Sequence, residues 1–306
     1  MKILIIGTNG FLGKHVKNKA IELDYEVLEI TGKQDIDITK YDNLKNFIND
    51  SKPEVIINCA AFVGGISYGF KYPAQMLNIN ALMALNLYNI IKETKVKKLI
   101  NPISNCAYPG NLNLYKEEDF FKGPPDSSVY NYGIAKRLYV QLGKSYFEEF
   151  KSSSTNIVLS NMYGPEDHFD EERSHALGAI VKKVVDAKKS NEKKVTLWGT
   201  GTPIREWLYV EDGATALIKA IKLNEGHQLF NVGVGKGISV KELANLIKTK
   251  AGWDGEFIYD DSKPDGVLEK KVDGTKGKNY LNWMPETDLT NGIQNTIDWY
   301  IKNNEK

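Results

Sequence analysis

Tyr132 and Lys136 stand four residues apart in a stretch with helical spacing. On a helix both side chains leave one face and reach the same small volume, so the two can act together on one substrate oxygen. That is a proton-delivery device. An ammonium beside a phenol is expected to draw its titration down from about 10 toward the range where a general acid works. The same pair on an amphipathic helix also serves as one packing residue and one solvated charge, so its meaning depends on its surroundings. Three features give it company: a glycine-rich turn near the N-terminus, Ser104 at the end of an apolar run, and Cys106 and His175 as groups suited to carbon-acid chemistry.

These groups need elements to hold them. The apolar run Lys2-Ile3-Leu4-Ile5-Ile6 turns through Gly7-Thr8-Asn9-Gly10-Phe11-Leu12-Gly13 into a helical pattern at 15–23, followed by a strand pattern at 26–30. This is a dinucleotide fingerprint. Gly7 is expected to make the tight turn, Gly10 to let a pyrophosphate approach the backbone at a helix N-terminus, and Gly13 to let that helix pack close. Further strands are predicted at 55–58, 98–104 and 156–160, with helices at 41–49, 80–94 and 132–149. Such alternation predicts an α/β fold with a Rossmann-type, doubly wound parallel sheet. Ligands then bind beyond the strands' carboxyl ends, at 58–61, 104–106 and 161–165. From about residue 163 glycine and proline punctuation increases, which predicts a smaller irregular α/β domain at that carboxyl edge. The expected division is 1–162 and 163–306, with some of 205–235 returning to the first domain.

Composition narrows the classes. Among 306 residues, 40 Lys and Arg nearly cancel 39 Asp and Glu, so there is no electrostatic footprint for nucleic acid or an anionic membrane surface. An anionic ligand must be held locally. Cys59 and Cys106 provide neither a disulfide framework nor zinc spacing, and no metal site is expected. With no leader pattern and no apolar run near ~18 residues, a soluble cytoplasmic protein is expected.

Gly7, Gly10 and Gly13 in their spacing, Ser104, and Tyr132 with Lys136 together resemble the extended short-chain dehydrogenase/reductase family over nearly the whole chain. Ala60-Ala61-Phe62-Val63-Gly64-Gly65-Ile66, Ser104-Asn105-Cys106-Ala107-Tyr108-Pro109, Asn161-Met162-Tyr163-Gly164-Pro165 and Ser174-His175 are similar to its GDP-L-fucose synthase branch. Residues 198–207, 231–233 and 263–266 continue the likeness. That branch comprises epimerase-reductases of GDP-4-keto-6-deoxymannose.

The resemblance implies roles. Ser104 would bond the C4 carbonyl, Tyr132 would protonate the developing alkoxide, and Lys136 would hold the nicotinamide ribose, while Cys106 and His175 would move the protons that invert C3 and C5. Alternation along an extended segment is expected to turn Cys106 to the side of Ser104. NADP(H) would be held by Gly7, Thr8, Asn9, Gly10, Phe11, Leu12, Gly13, Lys33, Asp37, Ala60, Ala61 and Asn161, with Tyr132, Lys136 and His175. The sequence Ile30-Thr31-Gly32-Lys33 lacks the acid that would select NAD, which favours NADPH. The substrate would meet Val63, Gly64, Lys183, Trp198, Arg205 and Lys270; of these, Arg205 suits bidentate phosphate binding. A homodimer packed through the Tyr132 helix is implied, with Leu138, Tyr139 and Leu142 as its apolar positions.

The chain departs from that branch at Lys183, where arginine is commoner, at Gly178, where proline is common, and at Leu159-Ser160, where Pro-Thr is usual. These departures leave the redox set intact and bear on the sugar. The rival expectations are a C4-keto reductase without epimerisation, acting on a different GDP-4-keto sugar such as a heptose, and a non-catalytic dinucleotide binder. A dehydratase would carry acidic residues where Asn105 and Cys106 stand.

Overall fold

Ile3 and Ile5 point to one side of the first strand, Leu4 and Ile6 to the other, and all four are buried. A strand covered on both faces needs no polar alternation, which is why its sequence reads as a continuous apolar run. The computed structural model describes residues 1–170, 174–263 and 265–304; Pro264 of the 263–266 stretch and the last two residues of the charged tail lie outside the described residues.

The first half alternates regularly: β1 (Lys2–Ile6), α1 (Phe11–Glu22), β2 (Glu26–Ile30), α2 (Tyr41–Ser51), β3 (Val55–Asn58), α3 (Ile66–Lys71), α4 (Pro73–Glu93), β4 (Lys98–Ser104), the two-residue β5 (Leu114–Tyr115), α5 (Tyr130–Phe150) and β6 (Ser154–Leu159). Then follow β7 (Asn161–Tyr163), α6 (Ala176–Lys189), β8 (Lys194–Trp198), β9 (Ile204–Tyr209), α7 (Val210–Lys219), β10 (His227–Val232), β11 (Gly237–Ser239), α8 (Val240–Ala251), β12 (Glu256–Asp260), β13 (Glu269–Val272), α9 (Thr275–Leu281) and α10 (Leu289–Asn304). Two helices begin earlier than periodicity predicts. α4 starts at Pro73, whose fixed φ suits a first helical turn, and α1 starts directly at Phe11 after the glycine turn.

The main sheet runs β10-β6-β4-β3-β1-β2, parallel throughout. Its order reverses between β1 and β3, and the crevice above that switch point is where such sheets bind ligands. One face is covered by side chains of α2, α4 and α5, including Leu44, Leu87 and Tyr139; the other by α1 and α7, including Val16 and Leu217. A buried hydrogen-bond chain ties α4 to α5 and to the sheet: the Tyr88 hydroxyl donates to Tyr139 O at 2.8 Å and accepts from Asn101 at 3.3 Å. Tyr139 corrects one expectation. It is buried inside the protein and accepts a bond from Asn58, so it is not an outward-facing dimer position; Leu138 and Leu142 are half-buried against the same core.

A second sheet, β11-β9-β13-β5 with β7 beside β9, stands at the carboxyl edge of the first. Its knot is Glu206, fully buried, whose carboxylate accepts from Gly235 N at 2.9 Å and Val272 N at 2.8 Å. A third core gathers α6, α8 and α10 through Val181, Leu243, Ile247 and Ile293. Among the described residues no helix is long and apolar enough to cross a membrane.

Candidate active site

The glycine turn fits a dinucleotide on steric grounds. Gly7 has φ +87°, and a β-carbon there would come within 2.9 Å of Ala60 N; at Gly13 it would overlap the Gly7 carbonyl. Gly10 is the N-cap of α1 and makes no side-chain cap bond, so the first-turn N–H groups are left for a ligand. Thr8, Asn9, Phe11 and Leu12 complete this turn, and Ala60 and Ala61 follow β3 across from it. The strand β2 ends at Ile30, with Glu29 inside it. Glu29 accepts from both Lys17 at 2.9 Å and Thr8 at 2.7 Å, bonds that hold its pKa below the usual carboxylate value. Beyond the strand, Lys33 is 82% exposed and lies 3.9 Å from Asp37. The Asp37 carboxylate is engaged by Thr39, which holds its pKa down.

At the end of β4 the backbone leaves the extended conformation. Asn105 to Ala107 form a single 3-10 turn whose N-cap is Ser104, its Oγ accepting from Cys106 N at 3.2 Å. The expected alternation of Ser104 and Cys106 therefore does not apply; a cap, not a strand, relates them. Helix α5 presses onto this turn. A β-carbon on Gly133 would lie 2.6 Å from Cys106 O, so only glycine permits the approach that brings Tyr132 within electrostatic reach of Cys106.

Lys136, one turn after Tyr132, is almost fully buried and donates to Pro102 O at 3.1 Å. Its Nζ is 5.6 Å from the Tyr132 ring centre and 5.3 Å from that of Tyr139. Burial lowers its pKa to about 8, opposed by Cys59 nearby. Tyr132 behaves opposite to expectation. Burial first, then Cys106 and Tyr139, raise its titration above the ordinary phenol value. The consequence is a phenol that keeps its proton at neutral pH. A proton donor requires that form.

His175 is the N-cap of α6 and comes from a separate segment. Its side chain is exposed, and its pKa is lowered, by desolvation first and then by His168. Asp167 lies in the same segment; it is nearly buried, accepts from His168 N at 2.7 Å, and is raised by burial to about 7. The structure thus gathers Ser104, Cys106, Tyr132 and Lys136, and groups His175 with His168.

The expected substrate cations fall in two places. Arg205 on β9 and Lys270 on β13 are cross-strand partners. Arg205 donates to Asp265 O at 3.3 Å; burial lowers its pKa, while Tyr115, Asp265 and Cys106 act the other way. Lys270 faces Asp126. Lys183 on α6 donates to Thr196 O at 2.8 Å, and Trp198, at the end of the same β8, is 64% exposed with Lys263 Nζ 5.8 Å from its ring centre. Asp265 joins the two places, since its carboxylate accepts from Thr200 N at 2.8 Å. Asn161 is engaged by Glu206 O at 3.0 Å and by Asn105 at 3.4 Å. Val63 is exposed, and Gly64 is closely covered by the Tyr68 ring.

Sequence reasoning missed Tyr115, Asp126 and the Asp167-His168 pair. None belongs to a periodic pattern, and β5 is too short to have one. They are brought to the site by tertiary contacts alone.

Residues 3–233 match the NAD dependent epimerase/dehydratase family. The GDP-L-fucose synthase of Azorhizobium caulinodans is 34% identical over 307 aligned positions, 99% of this chain and 97% of that protein. Among solved structures, a GDP-6-OMe-4-keto-L-xylo-heptose reductase from Campylobacter jejuni superposes with a TM-score of 0.92 at 25% identity, covering 99% of this chain and 98% of that one. A GDP-L-fucose synthetase from Naegleria fowleri bound to NADP gives 0.89 at 26% identity, covering 100% and 95%.

The Cys59 thiol keeps some surface in the crevice, yet the surrounding protein pushes it up to about 12. At pH 8 about one such thiol in 10⁴ is ionised, so alkylation of Cys59 by iodoacetamide is expected to be at least ~10²-fold slower in the folded protein than in urea. Mass spectrometry of the two cysteine peptides measures it. Equal rates in both states would show that the thiol is not desolvated.

Proposed function

The chain belongs to the NAD dependent epimerase/dehydratase family, and on that premise we propose that it inverts C3 and C5 of a GDP-linked 4-keto-6-deoxy sugar and then reduces its C4 ketone with NADPH. One observation carries this reading: Ser104, Cys106 and the Tyr132-Lys136 pair converge where α5 meets the end of β4. Redox and proton-abstracting groups then share one carbonyl. NADP bound to the Naegleria fowleri relative and the names of the two GDP-sugar enzymes support the cofactor and the substrate class.

Residues 1–162, with the returning strand at 227–232, would hold the cofactor, and the rest of 163–306 mainly the nucleotide sugar. The turn of Gly7, Thr8, Asn9, Gly10, Phe11, Leu12 and Gly13 would cradle the pyrophosphate at the α1 N-terminus. Glu29, already occupied by Lys17 and Thr8, leaves no free acid to select the unphosphorylated ribose, and exposed Lys33 is available to a 2′-phosphate. NADPH, when bound, supplies the hydride to C4.

Ser104 Oγ accepts from the Cys106 backbone, so its own proton is available to the ketone oxygen. Tyr132 gives its phenolic proton to the oxygen that develops negative charge, and the Lys136 ammonium steadies the tyrosinate left behind. In the epimerising steps the Cys106 thiolate takes a proton from a carbon flanking the ketone, the electron pair moves onto the carbonyl oxygen held by Ser104 and Tyr132, and His175 returns a proton to the opposite face. Arg205 and Lys270 would receive the diphosphate, with Trp198 and Lys183 beyond them toward the nucleoside.

A second reading, reduction without epimerisation of a GDP-4-keto sugar such as a heptose, is favoured by the likeness to the Campylobacter jejuni heptose reductase. The differences at Gly178 and Lys183 point the same way.

Tyr132→Phe removes only the proton donor, so kcat for GDP-4-keto-6-deoxymannose should fall by about 10²-fold or more while NADPH affinity stays nearly constant. An unchanged turnover number would locate the donor elsewhere. Turnover in deuterated water separates the two readings. Epimerisation labels C3 and C5 of the product, and Cys106→Ser suppresses the label while retaining reduction of a ketone already inverted. Normal NADPH consumption with both carbons protiated would decide for the reductase alone.

A further inference from the structure

Tyr115 is a buried phenol that the proposed chemistry leaves unused. Its strand β5 pairs with β13 in parallel, Tyr115 opposite Val272, and β13 pairs with β9 in parallel, Lys270 opposite Arg205. Paired residues of parallel strands share a face, and Lys270 and Val272 are two apart, so Tyr115, Lys270 and Arg205 all project from one face of the second sheet. The ring is held from both directions. It stacks on Tyr108 with centres 4.7 Å apart and planes 7° apart, and Tyr108 is two residues past Cys106. The Tyr108 hydroxyl donates to Asn231 Oδ1 at 2.8 Å, while Asn231 Nδ2 donates to Tyr115 O at 2.9 Å. A single asparagine thus fixes both tyrosines.

The phenol so held lies within electrostatic reach of Cys106, Arg205 and Asp126. Among the described residues its hydroxyl has no hydrogen-bond partner. A substrate whose ketone meets Ser104 and Tyr132, and whose diphosphate meets Arg205 and Lys270, must lay its pyranose across the interval between Cys106 and Arg205. Tyr115, on the sheet face that carries Arg205 and Lys270 and stacked on the Tyr108 that follows Cys106, borders that interval.

We propose that Tyr115 is a sugar-contacting residue whose hydroxyl hydrogen-bonds the pyranose between the ketone and the diphosphate. The proposal rests on the GDP-sugar reading above. A phenol locked by stacking loses little freedom on binding, so its bond discriminates among pyranoses that do and do not offer a partner there. The guanine nucleotide is read elsewhere and should not sense the change.

Calorimetric titration of the full chain with GDP-mannose and with GDP tests it. Tyr115→Phe keeps the ring and its stack, so thermal stability should hold, GDP affinity should be unchanged, and GDP-mannose should bind about 5-fold more weakly, the scale of one hydrogen bond. Unchanged GDP-mannose affinity, or equal weakening of both ligands, would overturn the proposal and leave Tyr115 a packing residue. Wild-type protein that binds neither probe would instead overturn the GDP-sugar reading, and the role of Tyr115 with it.

Discussion

The close approach of α5 to the turn after β4 is the constraint on which the site depends. It exists because Gly133 has no β-carbon to strike the Cys106 carbonyl 2.6 Å away. With the helix at that distance, Tyr132 comes within electrostatic reach of Cys106, whose N–H the Ser104 hydroxyl caps, and Lys136 reaches inward to the Pro102 carbonyl. A helix held off by a side chain would leave the same residues in the same order without a common target. Behind it, Tyr88, Asn101 and Tyr139 anchor α5 to α4 and to the sheet through buried hydrogen bonds, which fix its position against the strand ends.

Burial governs the electrostatics of the cluster more than charge pairing does. Lys136, Tyr132 and Cys59 are all displaced toward their neutral forms, and in each desolvation is the largest cause. The Lys136 ammonium persists at neutral pH and weakens as pH rises through about 8. A protonated phenol beside a marginally charged lysine is poised to give up its proton once negative charge develops on a bound oxygen, rather than before. The same reasoning explains why the phenol is not drawn down, as spacing alone suggests: desolvation of Tyr132 itself is the largest cause of its shift.

Much of the fold was legible because β1 and β3, buried on both faces, read as near-continuous apolar runs, and β4 and β6 keep apolar stretches among buried polar residues such as Asn101 and Asn156, while the glycine turn names its own geometry. Ser104, Tyr132 and Lys136 were legible for the same reason, since each sits at a fixed place on a strand or helix. What escaped depends on long-range contact. The cap by Ser104 replaces the extended backbone expected at Cys106, the burial of Tyr139 removes it from the outer face of α5, and Tyr115 reaches the site from a strand of two residues. His175 lies on a loop-to-helix junction, and its neighbour His168 follows from the path of that loop rather than from any local pattern.

The central claim is that the Ser104-Tyr132-Lys136 cluster presents a C4 ketone for reduction. The most direct measurement is hydride tracing: GDP-4-keto-6-deoxymannose is incubated with NADPH carrying deuterium on the transferable C4 position, and the purified product is read by NMR. The account predicts one deuterium at sugar C4, with an equivalent amount of NADP⁺ formed. NADPH oxidation without deuterium at that carbon, or a product changed only at C3 and C5 with no NADPH consumed, would contradict it.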